Sequence, residues 1–115
     1  MNESRFLRLR VDLGSGTQLG PGKAQLLQSI AEAGSIAAAG RAMHMSYKRA
    51  WYLVDTLNGY FREPLVISTK GGKAGGGARL TEMGERVLAA YRRMEVTAEH
   101  AVAEDLATLR ELATK

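Results

Sequence analysis

The sequence has no cysteine among its 115 residues. That excludes disulfides, thiolate metal ligands and a cysteine nucleophile, and it leaves packing alone to hold the fold, as suits a reducing cytoplasm. Proline is reduced to Pro21 and Pro64, each at the boundary of a helical pattern. No apolar run approaches the ~18 residues of a membrane span. Arg5, Arg8 and Arg10 interrupt the N-terminal apolar residues where a signal peptide would need an unbroken core. Neither export nor membrane insertion is expected, and the cytoplasm is the expected compartment. A chain this short holds one core but not the deep two-domain cleft of most large enzymes, so no enzyme is expected.

Several familiar chemistries are missing as well. A phosphate loop needs Gly-Lys followed by Ser or Thr, but Gly22-Lys23 and Gly72-Lys73 both run on to alanine. The G-x-G-x-x-G fingerprint fails where Gly14-Ser15-Gly16 reaches Leu19 and Gly20-Pro21-Gly22 reaches Gln25. His44 and His100 lie far apart with no partner at ligand spacing, so no metal site and no cofactor are expected. Asp12, Asp55 and Asp105 form no acid–base pair, and no serine sits in a nucleophile elbow.

What is present is an uneven distribution of charge. Sixteen Lys and Arg against twelve Asp and Glu give a net +4. Up to Arg79 there are eleven bases and five acids, whereas Leu80 to Lys115 holds five bases and seven acids. A positive head followed by a segment of opposite sign suits a polyanion-binding unit with a tail that does something else.

The patterns along the chain are consistent with that division. Arg5 to Leu13 alternates like a half-buried strand and stops at Gly14-Ser15-Gly16. Pro21-Gly22 opens a helix over Lys23–Ala33, closed by Gly34, and Ser35 is placed to cap a short second helix, Ile36–Met43. His44 suits the left-handed turn that follows. Ser46 then caps a third helix whose Ala50, Leu53, Val54, Leu57 and Phe61 form a buried stripe ending at Glu63-Pro64. Leu65–Thr69 and the residues up to Leu80 read as two strands joined by a glycine-rich loop that carries Lys70, Lys73 and Arg79.

Helix, short helix, turn, capped helix and cationic β-ribbon, in that order, describe a winged helix-turn-helix, mainly α with a small β-ribbon. At 100° per residue the third helix leaves Lys48, Tyr52 and Asp55 opposite its apolar stripe, with Tyr47 and Trp51 on one border and Arg49 on the other. Lys48 and Arg49 are of the type that donates to guanine edges in the major groove, and Tyr47 can meet a thymine methyl or a phosphate. Trp51 reads better as packing under the ribbon. The candidate DNA-contacting set is Ser35, Ser46, Tyr47, Lys48, Arg49 and Tyr52 on the helices, with Lys70, Gly71, Gly72, Lys73 and Arg79 on the ribbon.

Residues 1–80 form this expected DNA-binding unit and residues 81–115 a long final helix. Thr81 caps it, and Met83, Val87, Tyr91, Met94, Ala98, Val102, Leu106, Leu109 and Ala113 keep three- and four-residue steps. A continuous helix from Thr81 to Leu112 would run ~48 Å at ~1.5 Å per residue, far beyond a compact head with a radius of gyration of roughly 13 Å. Such a helix needs a partner, and a second copy is the simplest one. Val87, Tyr91, Met94, Ala98, Val102, Leu106 and Leu109 are the expected dimerisation residues. The alternative is a bend near Val96-Thr97 that folds the helix back on the head.

The run from Gly34 to Trp51, including Ser46-Tyr47-Lys48-Arg49-Ala50-Trp51, is followed by Gly71-Gly72-Lys73-Ala74-Gly75-Gly76-Gly77-Ala78 and by Leu80-Thr81-Glu82-Met83-Gly84. These segments together resemble the N-terminal DNA-binding domain of the ModE-type molybdate-responsive transcription regulators, more specifically than the helix-turn-helix pattern that LysR-type regulators share. The resemblance implies a winged helix dimerised through its last helix, with Ser46, Tyr47, Lys48 and Arg49 at double-stranded DNA and Gly71 to Arg79 as the wing. Members of that family continue into molybdate-binding domains, whereas this sequence stops at Lys115. The resemblance is therefore not expected to extend to molybdate binding by these residues, and a separate sensor protein is a possible partner. A reading from another class is an adaptor that docks such a protein through the long helix; it predicts no DNA affinity at physiological salt.

Overall fold

The computed structural model describes residues 6–69 and 76–114. The chain starts with a minimal hairpin, β1 (Val11–Asp12) and β2 (Gln18–Leu19), paired antiparallel with Val11 opposite Leu19. Its turn passes through Gly14, Ser15 and Gly16, all at positive φ, and the Asp12 carboxylate accepts the Gly14 N–H at 2.9 Å. Of the expected strand Arg5–Leu13, Arg5 lies outside the described residues and only Val11 and Asp12 pair, because alternation alone makes no ladder and Gln18–Leu19 offers only two residues to pair with. The segment is held elsewhere: the Tyr91 hydroxyl donates to the Leu9 carbonyl at 2.6 Å.

Three helices follow, α1 (Pro21–Ala33), α2 (Ile36–Ala42) and α3 (Tyr47–Tyr60). Pro21 occupies the first turn of α1, where its missing N–H costs nothing. Gly34 ends that helix at φ 80°, a conformation that favours glycine, and its N–H reaches the Ile30 carbonyl at 2.9 Å. The Ser35 hydroxyl accepts the Ala38 N–H and the Ser46 hydroxyl the Arg49 N–H, both at 3.0 Å, which sets where α2 and α3 begin. His44 takes φ 59° in the turn between them. At Gly40 a methyl group would come within 3.2 Å of Ala50 Cβ, so α2 and α3 cross at close range.

The ribbon is β3 (Val66–Thr69) against β4 (Gly77–Leu80), with Val66 opposite Leu80 and Thr69 opposite Gly77. Leu26, Leu27, Ile30, Val54, Leu57 and Leu65 are fully buried between helices and ribbon. Asn58 joins the two parts: its side-chain oxygen accepts from Leu65 N at 2.8 Å and Val66 N at 3.0 Å, and its Nδ2 donates to the Val66 carbonyl at 3.1 Å.

The last segment departs from expectation. It is two helices, α4 (Glu82–Ala101) and α5 (Ala103–Leu112), interrupted at Val102 with φ −106° and ψ 10°. The break is neither absent nor at Val96-Thr97. It contains no proline or glycine, Val102 still donates to the Ala98 carbonyl at 3.0 Å and accepts from Leu106 at 2.8 Å, and beyond it the Arg110 guanidinium lies 4.0 Å from the centre of the Phe6 ring. The chain still projects, measuring 55 × 29 × 20 Å with a radius of gyration of 16.3 Å.

Tyr91 corrects another expectation. Placed in the notional dimer stripe, it is 1% exposed and packs into the core of its own chain, with its hydroxyl spent on Leu9. It is not available to a partner. Met94 and Leu109 are exposed, and Val87, Ala98, Val102 and Leu106 are half-buried.

Candidate nucleic-acid interface

Helix α3 presents Tyr47, Lys48, Arg49, Tyr52 and Asp55 to solvent, while Ala50, Val54 and Leu57 turn inward. Tyr47 and Tyr52 are the most conspicuous, 59% and 61% exposed although both are aromatic. The Arg49 guanidinium carbon lies 5.7 Å from the Tyr52 ring centroid, and Tyr47 meets Trp51 edge-to-face at 6.3 Å. Trp51 itself is half-buried against the core, in line with its reading as a packing residue. Ser46 and Ser35 act first as caps, which explains their positions without any ligand.

The electrostatics of this helix start differ from those of α4 and α5. The N-terminal end of a helix carries partial positive charge and favours acids. Helix α4 obeys, with Glu82 and Glu85 in its first turn, whereas α3 has no acid there and instead places Lys48 and Arg49 at its second and third positions. Neither cation forms an ion pair among the described residues. Two like charges set on a positive helix end disfavour the free protein slightly and create a strong site for an anion.

On the ribbon, Arg79 is exposed in β4 opposite Ile67, while Ala78 and Leu80 face inward. The Ala78 N–H donates to the Gly34 carbonyl at 2.8 Å, so the ribbon is fastened to the junction where Ser35 starts α2. Lys70, Gly71, Gly72 and Lys73 lie outside the described residues.

Two features escaped sequence reasoning. Arg10 and Lys23 line a hollow of about 330 Å³ together with Arg49, on the border of α3 away from Asn58. They sit in different elements, and only folding brings them to α3. The Lys23 ammonium also lies 5.4 Å from the Tyr60 ring centroid. Asn58 is the second: a polar residue in an otherwise apolar stripe, it holds the ribbon to α3. Among the described residues no three His, Cys, Asp or Glu side chains group as a metal site, and no helix is long and apolar enough to cross a membrane.

Residues 22–85, from α1 into α4, match the family described as bacterial regulatory helix-turn-helix protein, lysR family. The chain belongs to that family. This lysR-family chain is also 42% identical over 97 residues to the molybdenum transport protein ModE of Azotobacter vinelandii, a match covering 84% of this chain and 36% of the relative. It is 40% identical over 96 residues to the molybdenum-pterin-binding protein MopA of Rhodobacter capsulatus, covering 83% of this chain and 36% of that one. Against the transcriptional regulator ModE of Haemophilus influenzae it is 38% identical over 93 residues, 81% of this chain and 36% of the relative. The lysR-family chain thus spans about a third of the length of these relatives. In fold it is similar to the crystal structure of the CbnR DBD–DNA complex, with a TM-score of 0.59 at 23% identity over 76% of this chain and 95% of that one.

Proposed function

We propose that the chain is a sequence-specific, double-stranded-DNA-binding transcription regulator that works in the cytoplasm as a homodimer on a near-palindromic site. The observation that carries this reading is the start of α3, where Lys48 and Arg49 stand exposed at a positive helix end with no ion pair among the described residues. A structural helix gains from acids at that position, and a recognition helix gains from donors. Similarity to relatives named molybdenum transport protein ModE and transcriptional regulator ModE supports regulation linked to molybdenum. The reading assigns no reaction and no cofactor to these residues.

Ser35, Ser46, Tyr47, Lys48, Arg49, Tyr52 and Arg79 are the proposed DNA contacts, together with Lys70, Gly71, Gly72 and Lys73. Base reading belongs to Lys48 and Arg49, and the ribbon residues position the backbone. Val87, Met94, Ala98, Val102, Leu106 and Leu109 are the proposed dimer contacts. Selection of bound duplexes from random DNA, with and without molybdate, tests the reading. Two inverted half-sites centred about one helical turn or a multiple apart are expected. Recovery of unenriched sequence, or of a single asymmetric site, would sink it.

A further inference from the structure

Beside α3 lies the hollow of about 330 Å³ that Arg10, Lys23 and Arg49 line. These cations come from three parts of the chain: the segment before β1, the first turn of α1 and the first turn of α3. A methyl group at Gly20 would stand 3.8 Å from Arg10 Cγ, so the Arg10 stem passes over the start of α1. Lys23 is half-buried, with the centre of the Tyr60 ring 5.4 Å from its ammonium. No carboxylate lines the hollow, and none of the three cations forms an ion pair among the described residues. Three uncompensated positive charges around one concavity repel each other, and an anion placed there relieves the repulsion.

The rest of the wall is apolar. Met43 and Met45 stand on either side of His44 in the turn between α2 and α3, and Leu53 lies one helical turn beyond Arg49. None of the lining residues is aromatic. A bare oxyanion leaves such a wall unused, and a nucleobase finds no ring to stack on. A sugar–phosphate unit matches both halves, with an anionic phosphate and the carbon face of a deoxyribose. The side of α3 on which the hollow lies decides which unit that is. Asn58, which holds the ribbon, stands nine residues from Arg49, so at about 100° per residue the two project from opposite sides of the helix. Lys48 and Tyr52 are exposed between them. A helix entering the major groove, about 12 Å wide, has a phosphate wall on either side.

We propose that the hollow seats one sugar–phosphate unit of the DNA strand that forms the groove wall opposite the ribbon. The phosphate lies between Arg10 and Lys23, the deoxyribose packs on Met43, Met45 and Leu53, and Arg49 keeps its contact with a base edge. The proposal rests on the DNA-binding reading of α3 and extends it to the N-terminal segment and α1, so that α3 is held in the groove from both sides. Such a contact fixes register and carries no base preference.

Neutral phosphates test this. A methylphosphonate is placed at each phosphate of a selected half-site in turn, and affinity is measured by anisotropy for the wild-type chain and for Arg10→Gln with Lys23→Gln, which keeps both stems. The wild type is expected to lose roughly tenfold at one phosphate on the wall opposite the ribbon, and the double variant to lose nothing further there. On the unmodified duplex the double variant should bind roughly tenfold more weakly, with unchanged base preference and a salt slope smaller by about 1 per protomer. Arg10→Lys with Lys23→Arg keeps both charges and should restore the wild-type pattern. A wild type that binds no duplex overturns both the DNA-binding reading and this contact. Three results overturn the hollow contact and leave the DNA-binding reading standing: a methylphosphonate that weakens wild type and double variant equally at every position, a sensitive phosphate that answers to Arg79→Ala instead, or a double variant with altered base preference.

Discussion

Lys48 and Arg49 occupy positions where helix stability and DNA recognition ask for opposite things. Each cation near the positive end of α3 costs a few tenths of a kcal/mol in the free protein, while a bidentate contact to guanine contributes about 1–3 kcal/mol. Lys48→Ala and Arg49→Ala are therefore expected to leave the melting temperature unchanged or slightly higher and to weaken specific binding by about 1–3 kcal/mol at a relaxed base position. Melting curves paired with titrations of specific and random duplexes read both effects; variants that bind like wild type would remove α3 from the interface. Asn58 shows the reverse profile. It satisfies two N–H groups and one carbonyl at the start of the ribbon, and unpaired buried groups cost about 1–3 kcal/mol each where water cannot reach them. Asn58→Ala should destabilise by about 2 kcal/mol, a drop of roughly 10 °C. A calorimetric change under ~1 °C would show that water replaces the amide without loss.

At the scale of elements, the same substitution has opposite signs in two helices. Glycine to alanine favours helix by about 1 kcal/mol. At Gly59, near the end of α3, an added methyl meets nothing within 4 Å, so Gly59→Ala should raise stability by about 0.4–1 kcal/mol. At Gly84 in α4 the methyl would penetrate the Leu65 carbonyl, a backbone group that cannot turn aside. Gly84→Ala should lower stability by about 1–3 kcal/mol despite the better helix former, because α4 must lift from the start of β3. Equal effects at the two sites in thermal denaturation would mean that α4 does not pack there. Element boundaries show which patterns are local. Ser35, Ser46 and Thr81 cap the helices at which their spacing points, since a cap is settled within three residues. The β1 pairing is not local, because a ladder depends on a partner strand, and the break at Val102 carries no proline or glycine to mark it in the sequence.

For the whole molecule, separation of charge governs association. In the proposed complex the basic head faces the phosphate backbone, and each neutralised phosphate adds about −0.9 to the slope of log K against log salt. Arg79→Ala should weaken binding to specific and random duplexes alike and flatten that slope by about 1 per protomer. Filter binding or anisotropy over a range of salt measures it; an unchanged slope would place Arg79 away from the backbone.

The sequence by itself determined the helix-turn-helix order, the caps, the inward stripe of α3 and the cations at its start, because each rests on residues within one or two helical turns. The tertiary structure decided the rest. It committed Tyr91 to the core of its own chain, divided the last helix at Val102, gathered Arg10 and Lys23 beside Arg49, and gave Asn58 its place under the ribbon. All but the division at Val102 depend on which distant backbone or ring a side chain meets, and periodicity carries no information about that.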